Sequence, residues 1–322
     1  MTFIPLMSRG VCAYLSGILS LGETVTCTAL ARMIKGTSHD GLTRLLQHKT
    51  LDWQTLLSSI IASITGRLST GYLIIDDTVI DKTFARAIEG IAWVYSSKEN
   101  RSILGLSVVV LCWSNGTVTV PLGLRIWRKD NGKSKVDLAV ELLHQVKKLP
   151  RFMPQYVVFD SWYAADRLLE TIERFRWTWV TQLKRNRKLN DVQVAVLHRH
   201  PYWMEIGILS NHHRVLVVRH GKRFLTTNDI SWSKKQLLDT YTTRWSIETM
   251  FRVLHDQLGI EDCQAISFRA QTAHLHLCFM AYIALERERR DQHRTHYALR
   301  REYRFHPERA ERAVNSMIFQ GA

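Results

Sequence analysis

The chain of 322 residues lacks the cysteine patterns that mark disulfide-rich secreted proteins and zinc modules. It has five cysteines, an odd number, and no C-x-x-C pair occurs among them. A disulfide framework is therefore not expected, and the pattern fits a reducing cytosol. Cys263, His274, His276 and Cys278 match no common zinc spacing, and HLHLCFMAYIAL around them predicts a buried helix with core histidines and cysteines.

Long hydrophobic runs are also missing. The apolar stretch VCAYLSGILSL (Val11–Leu21) resembles the core of a signal peptide, but it is shorter than the roughly 20 residues that span a bilayer. We interpret it as a packed N-terminal helix and expect no membrane association. No internal repeat and no long Gly/Ser linker is visible either.

Acidic residues are scarce relative to basic ones. Asp and Glu number 29 against 44 Lys and Arg, which gives a formal net charge of +15. Hydrophobic residues make up 46% of the chain, enough for a sizeable core. A folded protein with this excess of cations usually binds a polyanion, most often nucleic acid, although ribosomal and membrane-surface proteins share the bias.

The first 70 residues are predicted to be helical. A helix near Thr28–Ile34, a turn at Lys35–Gly36 and a second helix from the N-cap Ser38 to His48 suggest a helix-turn-helix, a common reader of the DNA major groove. Because most pairs of short helices bind no DNA, this motif is a weak indication.

From Tyr72 the chain alternates strands and helices. The predicted order is a strand, a β-hairpin, a helix, a strand, a helix and a strand, which indicates a mixed sheet of the α/β class. The supporting segments are YLIID, Ile103–Trp113 with Thr117–Trp127, Ser134–Leu149, Gln155–Asp160, Ala164–Phe175 and Trp177–Leu183. A β-rich insertion follows at about 184–229, and the C-terminus is a charged helical segment.

Two predicted strands end in an aspartate, Asp76 and Asp160, and Glu248 lies on a later helix. Carboxylates at the ends of neighbouring strands can converge at the rim of a sheet. Three converging carboxylates suit Mg²⁺ or Mn²⁺, which prefer oxygen ligands. A strand-end Asp is more often an ordinary turn residue, but two of them with a helical Glu in a basic chain favour a metal site.

The segment YTTRWSIETMFRVLHDQLG (Tyr241–Gly259) predicts one amphipathic helix. On such a helix Tyr241, Arg244, Glu248 and His255 fall within about 60° of one another. An apolar set fills a neighbouring arc of about 100°.

These motifs, in this order, resemble the DDE transposases of the insertion-sequence-four group, whose catalytic domain has an RNase H-like fold. Their signature Y-x2-R-x3-E-x6-K is matched by Tyr241, Arg244 and Glu248, whereas His255 stands where the group has Lys. The stretches DDT and FDSWYAADRLLETI resemble the group's first and second acidic motifs. A β-rich insertion before the Glu-bearing helix is also typical of the group, and the resemblance covers roughly residues 70–285.

The residues and the resemblance together predict three regions: a helical DNA-binding region at 1–70 with a possible helix-turn-helix, an RNase H-like domain at 71–285 with flanking helices and an insertion at about 184–232, and a basic helical segment at 286–322. Only the middle region is implied by the resemblance. The resemblance also implies that Asp76, Asp160 and Glu248 hold two Mg²⁺ or Mn²⁺ ions. Asp77 is the alternative to Asp76, which is preferred because the group's catalytic Asp stands two residues before Thr or Ser.

Several residues are expected to contact DNA. By the resemblance, Arg244 binds a phosphate, Tyr241 stacks on or bonds to the transposon end, and His255 substitutes for the Lys, with Arg252 able to share that task. The segment LKRNRK supplies Lys184, Arg185, Arg187 and Lys188 as phosphate contacts. Trp203, in the insertion, is expected to stack on an extruded base or to pack in the core.

The function implied is that of a cytoplasmic, nucleoid-associated transposase of a bacterium or archaeon. It would bind double-stranded DNA at terminal inverted repeats, cleave it and join the freed end to target DNA, acting as a homodimer. A metal-dependent nuclease on the same fold and a non-catalytic DNA-binding descendant of a transposase remain the alternatives.

Overall fold

A mixed β-sheet runs through the centre of the chain. The computed structural model describes residues 9–65, 70–85, 87–149, 152–197, 203–209 and 212–319. In these residues the strands are β1 (Tyr72–Asp81), β2 (Ala92–Ser96), β3 (Arg101–Ser114), β4 (Thr119–Trp127), β5 (Val157–Phe159), β6 (Trp179–Leu183), β7 (Lys188–Leu189), β8 (Val192–Gln193), β9 (Met204–Ile208), β10 (Arg214–His220) and β11 (Arg223–Thr227).

Helices cover the sheet and form both ends of the described chain. They are α1 (Arg9–Ser20), α2 (Cys27–Met33), α3 (His39–Leu46), α4 (Trp53–Thr65), α5 (Lys135–Lys147), α6 (Asp166–Arg174), α7 (Val194–Leu197), α8 (Lys234–Thr242), α9 (Trp245–Gln257), α10 (Phe268–Gln292), α11 (His296–Phe305) and α12 (Pro307–Phe319). The mixed α/β class predicted from the sequence is therefore confirmed.

The sheet has the order β2-β3-β1-β5-β6-β11-β10-β9, and β4 also pairs with β3. β1, β5 and β6 are parallel neighbours, whereas the other pairs of this sheet are antiparallel. The predicted hairpin is β3 and β4, which turn at Asn115 and Gly116, where Gly116 has a φ of +88°. That positive φ favours glycine because it has no Cβ.

The β-rich segment after β6 is an extension of the central sheet. β11 pairs antiparallel with β6, and β10 and β9 follow outward in turn. β7 and β8 form a separate two-stranded ribbon beside it. The segment predicted as an insertion is therefore hydrogen-bonded, through β6, to the same sheet as the parallel strands.

The N-terminal helices pack into the core. α1 buries Tyr14, Leu15 and Ile18 against α10, α11 and α12, which confirms the packed helix predicted there. α2 and α3 are present as predicted, and Ser38 caps α3 by accepting a hydrogen bond from the Gly41 amide at 3.1 Å. No described helix is both long and apolar enough to cross a membrane.

α10 is the central helix of the α-helical layer. Its residues from Ala270 to Glu286 are mostly buried, and it packs on helices of both ends of the chain and on β4. The buried guanidinium of Arg300, on α11, donates from Nη2 to Leu21 O at 2.6 Å and from Nε to Gln257 O at 2.8 Å. Arg300 therefore links α11 to the residue that follows α1 and to the end of α9.

Candidate active site

Two aspartates lie side by side where neighbouring parallel strands separate. The pairing of β1 with β5 ends at Ile75 and Phe159, and the next residues are Asp76 and Asp160. β1 itself continues along β3 to Asp81, so the expectation that a strand ends at Asp76 is wrong. The antiparallel ladder with β3 keeps β1 extended after its β5 partner has ended, and the two carboxylates share one rim.

Arg244 links the first of these acids to the helical glutamate. Its Nη1 donates to Asp76 Oδ2 at 2.6 Å and to Glu248 Oε1 at 3.1 Å. Glu248 lies in the first turn of α9, which packs against β1. The apolar face predicted for this helix is buried and consists of Ile247, Met250, Phe251, Leu254 and Leu258. Burial of that face turns Glu248 toward the rim.

The helix around Glu248 differs from the prediction. The sequence predicts one helix over Tyr241–Gly259, but α8 ends at Thr242 and α9 begins at Trp245. At the junction the amides of Thr243 and Arg244 bond to carbonyls three residues back, as in a 3₁₀ turn. The hydroxyls of Thr242 and Thr243 bond to the backbone in the same way, which competes with regular helix.

The predicted stripe of four side chains is therefore divided between two helices. Tyr241 belongs to α8, Glu248 and His255 to α9. Tyr241 is half-buried against the core, and burial, with a smaller contribution from Asp160, raises the pKa of its phenol. Arg252 is exposed on α9. The predicted DNA contacts of these residues stay predictions.

The rim is short of positive charge. Burial raises the pKa of Asp76 to about 8, although Arg244 opposes the shift, and the nearby Asp160 raises it further. Burial also raises the pKa of Asp160, even though its carboxylate accepts hydrogen bonds from the Trp162 and Tyr163 amides. One guanidinium does not offset these acids, so a further cation would be stabilised here.

The donor set fits a hard divalent cation. Carboxylate oxygens are the ligands that Mg²⁺ and Mn²⁺ prefer. Two carboxylate residues, Asp76 and Asp160, are already neighbours where the pairing of β1 with β5 ends. Within the described residues, no three His, Cys, Asp or Glu side chains are arranged as a ready-made metal site. Arg244 Nη1 stands between Asp76 and Glu248, which together with Asp160 are the residues that could hold such an ion.

Asp77, the alternative first ligand, points to different partners. Its carboxylate accepts hydrogen bonds from Lys135 Nζ at 2.6 Å, from the Tyr163 hydroxyl at 2.9 Å and from the Ser107 hydroxyl at 3.3 Å. Consecutive residues of a strand face opposite sides of the sheet, which explains why Asp76 meets α9 and Asp77 meets α5. Asp77 is thus neutralised by a fixed lysine.

His255 is occupied by protein groups. Its Nε2 lies 2.8 Å from the Thr78 hydroxyl, and its Nδ1 lies 3.0 Å from Glu261 Oε1, although not in hydrogen-bond alignment. Thr78 shares a face of β1 with Asp76, so the ring is on the side of the acids. The contact with Glu261 has no counterpart in the sequence prediction, because that residue lies beyond the helix.

The basic segment after β6 is divided between anchored and free cations. Arg187 forms an ion pair with Asp166 at 2.9 Å, which ties the segment to the start of α6. Arg185 and Lys188 are exposed, and Lys184 Nζ lies 4.9 Å from the centre of the Trp162 ring.

Trp203 is half-buried and packs edge-on against Phe224, with ring centres 6.4 Å apart. The packing that the sequence left open is thus observed for this ring. A role in stacking on a base stays a prediction.

The histidines of the apolar C-terminal helix lie in the core, as predicted. His274 Nε2 is 2.9 Å from Gly259 O, and His276 Nδ1 is 2.7 Å from Thr272 O. Burial lowers the pKa of each imidazole to about 4. Cys278 is also buried and close to His274.

The sequence prediction missed Lys135 and Tyr163, the residues that hold Asp77. The sequence offers a signal for Tyr163, because it is an aromatic residue three positions after Asp160, at the start of the turn that leads into α6. Lys135 has none, because a lysine in the first turn of a helix is usually solvated.

Comparison with known proteins gives the family of the chain and a similar fold. A sequence model of the family described as Transposase DDE domain matches residues 69–284, a span that includes Asp76, Asp160 and Glu248. No curated protein matches the chain. Among solved structures, the fold is similar to that in the "Cryo-EM structure of piggyBac transposase synaptic complex with hairpin DNA", with a TM-score of 0.57 and 11% identity over 94% of this chain and 72% of that one. The likeness concerns the fold and is consistent with an RNase H-like sheet, and the family match shows that this chain belongs to the transposase DDE domain family.

Proposed function

We propose that the chain is the DNA transposase of an insertion sequence, which binds the terminal inverted repeats of its element, cleaves there and joins the freed 3′ end to target DNA. The observation that carries the proposal is the placement of three acids. Asp76 and Asp160 adjoin on parallel strands, and Glu248 reaches Asp76 through one guanidinium. The insertion-sequence-four group is the subgroup proposed, from the Tyr241, Arg244 and Glu248 motif.

Asp76, Asp160 and Glu248 are the proposed ligands of Mg²⁺ or Mn²⁺, with two ions expected. When bound, the ions activate the attacking oxygen and stabilise the leaving oxygen of a phosphodiester. The raised pKa values of Asp76 and Asp160 support this assignment, since both carboxylates would gain from a nearby cation.

Arg244 is the proposed partner of a DNA phosphate at the cleaved end. Its planar guanidinium can bind two oxygens at once, and here it already binds two carboxylates. A DNA phosphate at the rim would bind the Arg244 guanidinium in place of Glu248 and would thereby free the Glu248 carboxylate. The net charge of +15 supports binding to the DNA backbone. We propose that the chain acts on DNA as a homodimer, in which each copy holds one end of the element.

The test uses a plasmid that carries the coding region with its flanking DNA, the purified full chain and Mg²⁺. We expect cleavage at the element's ends and joined product on a gel. Asp76→Asn, Asp160→Asn and Glu248→Gln should each abolish cleavage yet still retard the DNA, whereas Glu170→Gln, an exposed carboxylate on α6, should cleave normally.

Other outcomes separate the alternatives. Hydrolysis without joined product would indicate a nuclease, and binding without cleavage would indicate a non-catalytic DNA-binding protein. Normal cleavage by Asp76→Asn, with none by Asp77→Asn, would move the first ligand to Asp77.

A further inference from the structure

The two aspartates of the rim lie just beyond the pairing that joins their strands. The ladder between β1 and β5 ends at Ile75 and Phe159. Asp76 and Asp160 are the next residues, so they follow the last pair of that ladder. β1 continues along β3, whereas β5 is followed by a turn. The separation of the two acids therefore depends on contacts other than the β1–β5 ladder.

The turn after β5 is folded around the Asp160 carboxylate. Asp160 Oδ1 accepts hydrogen bonds from the Trp162 amide at 2.9 Å and from the Tyr163 amide at 3.4 Å, as in an Asx turn. The carbonyl of Asp160 accepts a hydrogen bond from the Thr181 hydroxyl, on β6, at 3.0 Å. Because two amides of the turn hold the carboxylate, a displacement of Tyr163 would also displace the Asp160 side chain.

The side chain of Tyr163 connects this turn to β1. The residue is fully buried, and its hydroxyl donates to Asp77 Oδ1 at 2.9 Å. Burial, with the neighbouring charge of Asp77, raises the pKa of the phenol, so it keeps its proton and remains a donor. Tyr163 therefore holds Asp160 by its amide and Asp77 by its hydroxyl. Asp77 in turn is the neighbour of Asp76 on the strand.

A lysine fixes the acceptor of this hydrogen bond. Lys135 Nζ, in the first turn of α5, donates to Asp77 Oδ2 at 2.6 Å, and the Ser107 hydroxyl, on β3, donates to the same oxygen at 3.3 Å. The side chains of Lys135 and Asp77 are only 20% and 19% exposed. An ion pair with this little exposure is screened weakly by salt, and it keeps Asp77 ionised as the acceptor for the phenol.

We propose that Tyr163 and Asp77 are positioning residues of the acidic rim. Together they set the separation of Asp76 and Asp160, the acids proposed to bind the divalent ions. This inference rests on the proposed function and adds to it residues that act through the metal ligands. Asp77 and Asp76 point to opposite faces of the sheet, so the bond to Tyr163 holds β1 from behind while Asp76 faces the rim.

The expected effect of this link is on metal affinity. Ligands that are already held at the correct separation do not have to be ordered when the ion binds. Residues that hold metal ligands in this way commonly contribute roughly tenfold or more to the affinity for the metal. The proposal also gives Asp77 a role that differs from that of a metal ligand.

The experiment measures the affinity of the full chain for Mn²⁺ without DNA, by electron paramagnetic resonance. Tyr163→Phe removes one hydroxyl and keeps the buried ring, and we expect it to bind Mn²⁺ about tenfold more weakly than the wild type. Tyr14→Phe is the matched control. Tyr14 is also buried, and its hydroxyl lies 3.0 Å from His274 Nδ1, in the helical layer. This control loses a buried hydrogen bond of the same kind, yet it should bind Mn²⁺ as the wild type does.

Asp77→Ala tests the connection between the phenol and β1. It should weaken Mn²⁺ binding by about the same factor as Tyr163→Phe. The variant that carries both changes should bind no more weakly than the weaker of the two single variants, because both remove the same link. Urea unfolding without metal shows whether each variant is folded, and a folded Asp77→Ala tests the link even if Tyr163→Phe unfolds.

Equal Mn²⁺ affinity of Tyr163→Phe and the wild type, or an equal loss in Tyr14→Phe, would overturn the positioning role. Losses that add in the double variant would also overturn it, and complete loss of binding in Asp77→Ala alone would show that Asp77 is itself a ligand. None of these results affects the proposed function. A wild type that binds no Mn²⁺, or an Asp76→Asn variant that binds it as well as the wild type does, would instead overturn the metal site on which both proposals rest.

Discussion

The imidazole of His276 should make the stability of this protein depend on pH. It is buried on α10, where Nδ1 donates to Thr272 O at 2.7 Å, and within the described chain Nε2 has no hydrogen-bond partner. Protonation would place an unpaired N–H in the core. Burial therefore lowers the pKa of His276 from 6.5 to about 4.

The direction and size of the effect follow from linkage. The unfolded chain takes up the proton near pH 6.5 and the folded chain only near 4, so stability is complete above the unfolded pKa and is lost as the pH falls through this window. The loss between about pH 7 and about pH 5 is roughly 2 kcal/mol. His274 acts in the same direction, whereas the raised pKa of Asp76 gives stability that decreases as the pH rises toward 8.

The assay compares the pH dependence of stability in the wild type with that in a variant that lacks the His276 imidazole. Urea unfolding at the two pH values gives the free energy of unfolding for the wild type and for His276→Met, which keeps the volume but cannot titrate. The decrease on acidification should be smaller in the variant by roughly 2 kcal/mol. Leu277→Ala, a buried neighbour, should lose stability equally at both pH values. An identical pH dependence in the wild type and His276→Met would refute the reasoning.

Further outcomes are expected at the termini and on DNA. Arg300→Met should lower the free energy of unfolding, measured with urea, by about 2–4 kcal/mol, because two buried carbonyls lose their charged donor. The control Arg304→Met, at an exposed position, should change this free energy little. A small effect of Arg300→Met would mean that water replaces the guanidinium. The affinity for the element's ends should fall steeply between about 50 and 200 mM salt, and a flat plot of log affinity against log salt would contradict a phosphate-dominated interface. In the absence of DNA, Arg244→Gln should raise the affinity of the protein for Mn²⁺, because the guanidinium competes with the ion for the two carboxylates that it bridges. Electron paramagnetic resonance measures this affinity. An unchanged affinity would show that the ion binds elsewhere.

Local patterns were enough to predict most elements of the fold. The alternation of apolar strands and amphipathic helices predicts a mixed sheet with helices, and SNG predicts the hairpin between β3 and β4, because turn residues act within a few positions. The packed helix at the N-terminus is predicted by its short length and apolar composition. The union of β9–β11 with the central sheet was not predictable, because the strand pattern of this segment does not specify which strand it pairs with.

The junction between α8 and α9 shows a limit of periodicity. A helical wheel treats Tyr241–Gly259 as uniform, but hydroxyl bonds from Thr242 and Thr243 to the backbone favour a tighter turn. Threonines occur in many regular helices, so the pattern alone does not decide between the two outcomes.

The sequence by itself determined which residue types are present and in what order: two aspartates after apolar runs, a Tyr, Arg and Glu motif on a helical segment, and a large excess of positive charge. Tertiary structure alone decided their partners. It turned Asp76 toward Arg244 and Asp77 toward Lys135, and it left Trp162 exposed at the same rim. The reason is physical: the direction of a strand residue depends on which helix covers each face of the sheet, and burial and charge depend on neighbours that are distant in the chain.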